Sequence, residues 1–240
     1  MAHELESLDS TEDDWAKLYR ARGDEVEITR PFFTGDVFEK VDVILLGQAK
    51  CKNVVILQHP CAMRLDGVSL VPQLLMAEAR QHRPLDERQW RRYGKLMPLP
   101  SLFTSVDSGR RHQAALFDEL YLVDPDKLRD KRVACMSQFG VNVLLQRWVH
   151  HNSRVVVPTS TFHEQTGGVY EEADLIEEWC DERVSFGIAV DEAAKECVTW
   201  LREPIDGGTL RQSLLDNPQA RSAVRKDMRR RLKEFREDKV

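Results

Sequence analysis

The sequence predicts an α+β protein: a small, strongly bent antiparallel sheet or barrel, preceded by an N-terminal helix and followed by a helical C-terminal extension. Three observations carry this. From residue 28 to about 123, Arg30-Pro31, Thr34-Gly35, Asp66-Gly67, Arg83-Pro84 and the Pro98 to Pro100 stretch cut the chain into short β-type runs. No helical pattern there is long enough for a parallel crossover, which leaves antiparallel pairing. After Ser137 apolar residues recur at helical spacing.

In order along the chain, Ser10 precedes residues 11–22, where Trp15, Leu18, Tyr19 and Arg22 share a helical face and Asp13 sits as a capping-box acid. Gly23 ends this helix, read as a brace. Residues 36–41 and 43–46 read as strands after a Gly-containing turn, and 54–57 as a buried central strand. Residues 70–79 and 114–123 supply further strands, for five or six in all, and 84–93 an inserted loop or short helix. Val141, Leu144, Leu145 and Trp148 line a helix that closes the sheet domain and ends at His150-His151.

Residues 154–158 read as an extended link, and the polar, Gly-containing stretch 159–168 as a domain boundary. Beyond it, one helix carries Leu175, Ile176, Trp179 and Val184. Asp191 caps a second that stops at Glu203-Pro204, Thr209 is placed to cap a short one, and Asn217-Pro218 opens the last. That last helix bears an apolar seam of Val224, Met228, Leu232 and Phe235. The expected divisions are 1–27, 28–152 and 153–240.

Composition narrows the classes. At 240 residues, 42% apolar and 31% charged, the chain is that of an ordinary globular protein. The apolar runs 41–46 and 54–57 fall far short of a bilayer span, so no membrane association is expected. The acidic start, residues 1–14, lacks the order of a secretory signal, and the expected location is cytoplasmic. Five cysteines without a C-x-x-C pair predict free thiols, and no metal-ligand spacing occurs, so neither metal nor cofactor is expected.

A net charge of −5 argues against generic polyanion binding, yet the cations are clustered. Arg80, Arg83, Arg88, Arg91, Arg92 and Lys95 alternate with Trp90 and Tyr93, a pattern able to hold phosphates and stack a base, and Arg110-Arg111 extends it. The last helix carries a second basic cluster and the stretch 171–196 is strongly acidic; such helices pair with each other or form solvated faces more often than they bind nucleic acid.

The most unusual stretch is Gln58-His59-Pro60-Cys61-Ala62-Met63-Arg64, at the end of an apolar strand. Read functionally, His59 moves protons near neutral pH, Arg64 holds a phosphate or carboxylate, and Cys61 is a nucleophile served by His112 and Asp118. Read structurally, it is a turn with a small buried cysteine and an ion-paired arginine. Both readings stand on the sequence.

Three segments also point to a family. Thr34-Gly35-Asp36-Val37-Phe38 is similar to an Arg-Gly-Asp-Ile opening, Val54-Val55-Ile56-Leu57-Gln58 to a central apolar strand, and Ala115 to Asp124 to the strand before a closing turn, here Lys127-Leu128, and final helix. In this residues 30–152 resemble the PemK/MazF-like toxin barrel, an SH3-like family of bacterial toxin–antitoxin systems. The resemblance implies a metal-independent endoribonuclease, which needs a proton acceptor, a proton donor and a cation at the phosphate.

Lys52-Asn53 stands where the family has an arginine, and Met76-Ala77 where it has a threonine or serine. The replacements available near those strand ends, with Gln58, are His59, Arg64 and Glu78 as catalytic groups and Lys52, Arg80, Arg83, Trp90, Arg91 and Arg92 as nucleic-acid contacts. The expected partner is RNA or another single-stranded nucleic acid, in a toxin-type or phage-defence setting. The alternative is a non-catalytic adaptor that uses its C-terminal helices, and their apolar seam, to hold a protein partner.

Overall fold

The computed structural model describes residues 4–9, 11–65, 69–103 and 111–237, apart from the side chain at position 206. Ser10, the Asp66-Gly67 turn and Arg110 lie outside the described residues. Two compact units emerge, the first from within 1–26, 32–65 and 70–163, the second from within 27–31, 66–69 and 164–240.

The first unit contains β1 (Tyr19–Arg22), β2 (Val37–Leu45), β3 (Gln48–Ile56), β4 (Leu74–Gln81), β5 (Leu96–Leu99), β6 (Gln113–Val123) and β7 (Arg132–Met136). They form one seven-stranded sheet in the order β1-β7-β2-β3-β4-β6-β5, and every pairing is antiparallel. β1 and β5 are the edges, and no ladder joins them among the described residues. The sheet is therefore open. Its helices are α1 (Glu12–Ala16), α2 (Pro60–Met63), α3 (Glu87–Arg92) and α4 (Gln138–Ser153).

Several expectations are corrected. The N-terminal helix is α1 alone, capped by Thr11, whose hydroxyl accepts from the Asp14 N–H. Tyr19–Arg22 is strand because every second residue, Tyr19 and Ala21, is buried against β7, a period the helical spacing of Leu18, Tyr19 and Arg22 conceals. Residues 36–46 form one strand with a bulge between Phe38 and Val41, where Lys40 takes a positive φ and its N–H donates to the Asn53 side chain. The hairpin to β3 turns on Leu46-Gly47, both at positive φ, the backbone of a two-residue hairpin loop. β5 contains Pro98, tolerated because it pairs on one side only.

The opening at Thr34-Gly35-Asp36 is a structural lock. The Thr34 hydroxyl donates to the Gln58 carbonyl, and the Gly35 N–H donates to the Ile56 carbonyl. Gly35 sits at φ +85°, where a Cβ would meet the Met136 sulfur at 2.7 Å. Asp36 is buried and accepts from the Phe33 N–H and the Arg132 guanidinium at 3.0 and 2.9 Å. One core cluster joins Phe38, Val41, Val43, Val54, Ile56, Met63, Leu74, Met76, Tyr121, Val123 and Leu128.

α4 begins where Ser137 accepts from the Gly140 N–H. Gly140 is required there, since a Cβ would sit 2.2 Å from the Leu18 carbonyl oxygen. On this helix Arg147 is 0% exposed and donates to the carbonyls of Tyr93 and Glu6 at 2.7 Å and of Trp90 at 2.8 Å. Its guanidinium also lies over the Trp90 ring, 4.9 Å from the centroid. Burial pulls its pKa down to about 10, so it keeps its charge at neutral pH. The neighbouring Gln146 accepts from the Glu6 N–H at 2.6 Å.

The second unit holds α6 (Val190–Arg202), α7 (Arg211–Leu214) and α8 (Pro218–Glu237), with most of α5 (Thr159–Ser185), inside which the division between units falls. The polar stretch 159–168 is therefore helical. α6 is capped from Ala189 without a side-chain bond, and Asp191 lies in its first turn; α7 likewise begins at Leu210 instead of Thr209. Asn217 does cap α8, accepting from the Gln219 N–H.

The seam expected to await a partner is not free: Val224, Met228 and Leu232 are buried with Trp179, Trp200 and Leu201 in the unit's own core, and Phe235 packs on it. Of the two uses expected for the clusters of opposite charge, they take mutual pairing: Arg225 with Glu171 and Glu178, Arg229 with Glu178, and Arg236 with Glu182. Arg30, 2% exposed, meets Asp174 and Glu177 at 2.5 and 2.6 Å and fastens residues 27–31 to α5.

Replacing Arg147 with alanine strands three carbonyls and opens a cavity. The expected loss is about 3 kcal/mol or more of unfolding free energy. Urea denaturation measures it; a loss under about 1 kcal/mol would show that water replaces the guanidinium at no cost.

Candidate nucleic-acid interface

The stretch at the end of β3 takes the structural form. Gln58 accepts from the Leu75 N–H at 3.1 Å and donates to the Ala62 carbonyl at 2.8 Å. His59 is the N-cap of α2: its Nδ1 accepts from the Cys61 N–H at 3.3 Å, and burial lowers its pKa, so it is neutral at pH 7 with its proton on Nε2. Arg64 donates to the Phe32 carbonyl at 2.8 Å. Cys61 is exposed, not buried. His112 is buried edge-on to Trp15 and accepts from the Ser101 N–H at 3.1 Å. Asp118 lies 3.4 Å from His151, so neither is placed as expected for thiol catalysis.

Glu78 is not beside His59. It pairs with Val54, five residues before His59 on a strand that rises about 3.3 Å per residue. Around it gather Lys52 from β3, Arg80 from β4 and Tyr121 from β6, whose donors reach its carboxylate at 3.1, 2.8 and 2.7 Å. Arg80 also stands 3.8 Å from Glu119. Burial pushes the Glu78 pKa up, but the hydrogen bonds from Arg80, Tyr121 and Lys52 outweigh it and hold the group below the ordinary glutamate value. Burial, with Glu78 behind it, pushes the Tyr121 phenol up to about 12.

A carboxylate so held is a poor proton acceptor, and such a phenol a poor acid. The cluster fastens β3, β4 and β6 together at the rim of the apolar core. Tyr121 went unnoticed in the sequence because its alternation with Val123 reads only as core; the partners of Glu78 become visible only in the strand register.

The nucleic-acid candidates divide. Lys52 and Arg80 belong to Glu78. Trp90 is 1% exposed under the Arg147 guanidinium, so its ring is closed to a base. Arg91 pairs with Glu87 and with Glu4. Arg83, Arg88, Arg92 and Lys95 are exposed, and none pairs with a carboxylate among the described residues. Tyr93, 41% exposed, offers the ring that Trp90 does not.

These residues are held in place by α3. Asp86 and Gln89 form a full capping box at its start, and Arg147 takes the carbonyls of Trp90 and Tyr93 at its end. The His82 N–H donates to the His112 carbonyl at 3.1 Å, so Arg83 and Arg111 each adjoin in sequence a residue of this bond. Among the described residues no three of His, Cys, Asp and Glu gather as metal ligands, and no helix is long and apolar enough to cross a membrane.

The depressed pKa of Glu78 has a signed consequence. Its stabilising effect is complete above the unfolded-state value of about 4.3 and is lost as pH falls through the lower folded value. Glu78→Gln is therefore expected to be less stable than wild type at neutral pH, with the gap closing in acid. Urea midpoints across that range measure it; a gap independent of pH would contradict the assignment.

No family of known proteins matches the chain, and no curated protein matches it in sequence.

Proposed function

We propose that this protein binds single-stranded nucleic acid, RNA foremost, through the cations around α3, and that it does so without cleaving the strand. The observation that carries the reading is the set of exposed cations, Arg83, Arg88, Arg92 and Lys95, left without carboxylate partners among the described residues while most other cation clusters are matched. Guanidinium and ammonium groups around a half-exposed tyrosine suit a phosphate backbone with a base stacked between.

The absence of cleavage follows from the three groups nominated for it. His59 is a helix cap, Arg64 is tied to a carbonyl, and Glu78 is saturated by donors. The PemK/MazF-like resemblance supports the choice of RNA and a cytoplasmic, toxin-type or phage-defence setting. On this reading the open sheet is a bent, SH3-like barrel. Its edges are drawn together by the Tyr19 hydroxyl on the Pro100 carbonyl and the Arg22 guanidinium on the Ser101 carbonyl, at 2.9 and 2.6 Å. The adaptor alternative loses its main support with the burial of the α8 seam.

The test is fluorescence anisotropy of a labelled oligouridylate at low salt, with wild type and Arg88→Ala/Arg92→Ala. Wild type is expected to bind, the variant about tenfold more weakly, and the oligonucleotide to remain intact in metal-free buffer. No binding at low salt would refute the reading; metal-free cleavage abolished by His59→Ala would restore catalysis.

A further inference from the structure

The N-terminal segment is pinned to the first unit by its backbone. Leu5 and Leu8 are buried, the Glu6 N–H donates to Gln146, and the Glu6 carbonyl accepts from Arg147. From that fixed trace two exposed carboxylates reach the cation face. Glu4 pairs with Arg91 at 3.2 Å, and the Ser7 hydroxyl lies 3.4 Å from the Arg91 Nε. Glu12, in α1, accepts from the Arg111 guanidinium and, at 2.8 Å, from the Ser101 hydroxyl. Arg91 is on α3 itself, and Arg111 is the sequence neighbour of His112, whose carbonyl accepts from the N–H of His82, the residue before Arg83.

From this arrangement we infer that the acidic N-terminal segment is a built-in competitor of the polyanion: Glu4 joins Glu87 on Arg91 and Glu12 occupies Arg111, so RNA must displace these carboxylates to use the full cation face. This rests on the nucleic-acid reading and adds its regulation. The backbone stays where it is, because Leu5, Leu8 and the clamp on Glu6 hold it. Only side chains exchange partners. Pairs this exposed are weak and screened by salt, so a phosphate can replace a carboxylate readily. The competitor tunes affinity; it does not abolish it.

The test uses the full chain, the same labelled oligouridylate and a salt titration of wild type and Glu4→Gln/Glu12→Gln. Both substitutions keep a hydrogen-bond acceptor at exposed sites and are expected to leave the thermal unfolding midpoint unchanged. The double variant is expected to bind about 3–10-fold more tightly at low salt. Its plot of log affinity against log salt should steepen by about 0.7 for Arg111, because Arg91 stays paired with Glu87.

Adding Arg91→Ala and Arg111→Ala to that variant is expected to cancel the gain. A gain that survives those substitutions is a general effect of net charge and overturns the inference. So does an unchanged affinity and slope in a protein that still loses binding through Arg88→Ala/Arg92→Ala, which leaves the nucleic-acid reading intact. If neither wild type nor the double variant binds at low salt, both fall together.

Discussion

A guanidinium sealed inside the first unit, with no carboxylate in direct contact among the described residues, is the constraint on which its surface depends. Removing Arg147 from water is expensive, and the three hydrogen bonds of its two terminal nitrogens offset the cost, while its Nε is buried without a partner among the described residues. Those donors take carbonyls from two separate pieces of chain, the end of α3 and the N-terminal segment at Glu6. The last carbonyls of a short helix have no partner within it, and the helix dipole favours a cation there. One side chain on α4 therefore supports α3, roofs Trp90 and fixes the N-terminal segment. The cations of α3 and the carboxylate of Glu4 that meets them have a common anchor.

Glu78 obeys a related rule with the opposite outcome. A buried carboxylate at the rim of an apolar cluster must be satisfied, and the sheet supplies three donors from three strands. The same hydrogen bonds that make the site stable remove its use as a base. Lys52 and Arg80 are partly neutralised with it. A phosphate approaching there would meet a closed circuit of charge, whereas around α3 it meets cations with water as their main company. This difference in prior engagement separates the two clusters, since their residue types are the same.

Much of this was legible in the sequence and some was not, for physical reasons. Antiparallel pairing, α4 from Ser137 and the Asn217-Pro218 start of α8 follow from local chemistry, that is from caps, proline and periodicity, and these are as expected, while α3 is the second of the two forms, loop or short helix, open to residues 84–93. β1 was hidden because Leu18, Tyr19 and Arg22 satisfy a helical period as well as an alternating one. β7 was hidden because its five residues, Arg132–Met136, carry no alternation of burial. The partners of Glu78 are set by a register in which β6 inserts extra residues opposite the Ala77-Glu78 step, and no local pattern encodes that. Arg147 left a faint signal: it lies three residues after Leu144 on the apolar face, where a charged residue is either misplaced or buried with partners.

The acidic balance of the whole chain is compatible with a basic binding face because charge acts over a Debye length of about 8–10 Å at ordinary salt, so neighbours matter more than totals. On α8 the arginines have glutamates of α5 within hydrogen-bond reach, and their field is largely cancelled. Around α3 the opposing carboxylates number few, and two of them, Glu4 and Glu12, are mounted on the segment that Arg147 and Gln146 hold. Arg83, Arg88, Arg92 and Lys95 pair with no carboxylate among the described residues, and the helix among them is anchored through the Trp90 and Tyr93 carbonyls. On the proposed reading a net charge of −5 serves discrimination: the overall charge opposes a phosphate chain, and the cations around α3 attract it.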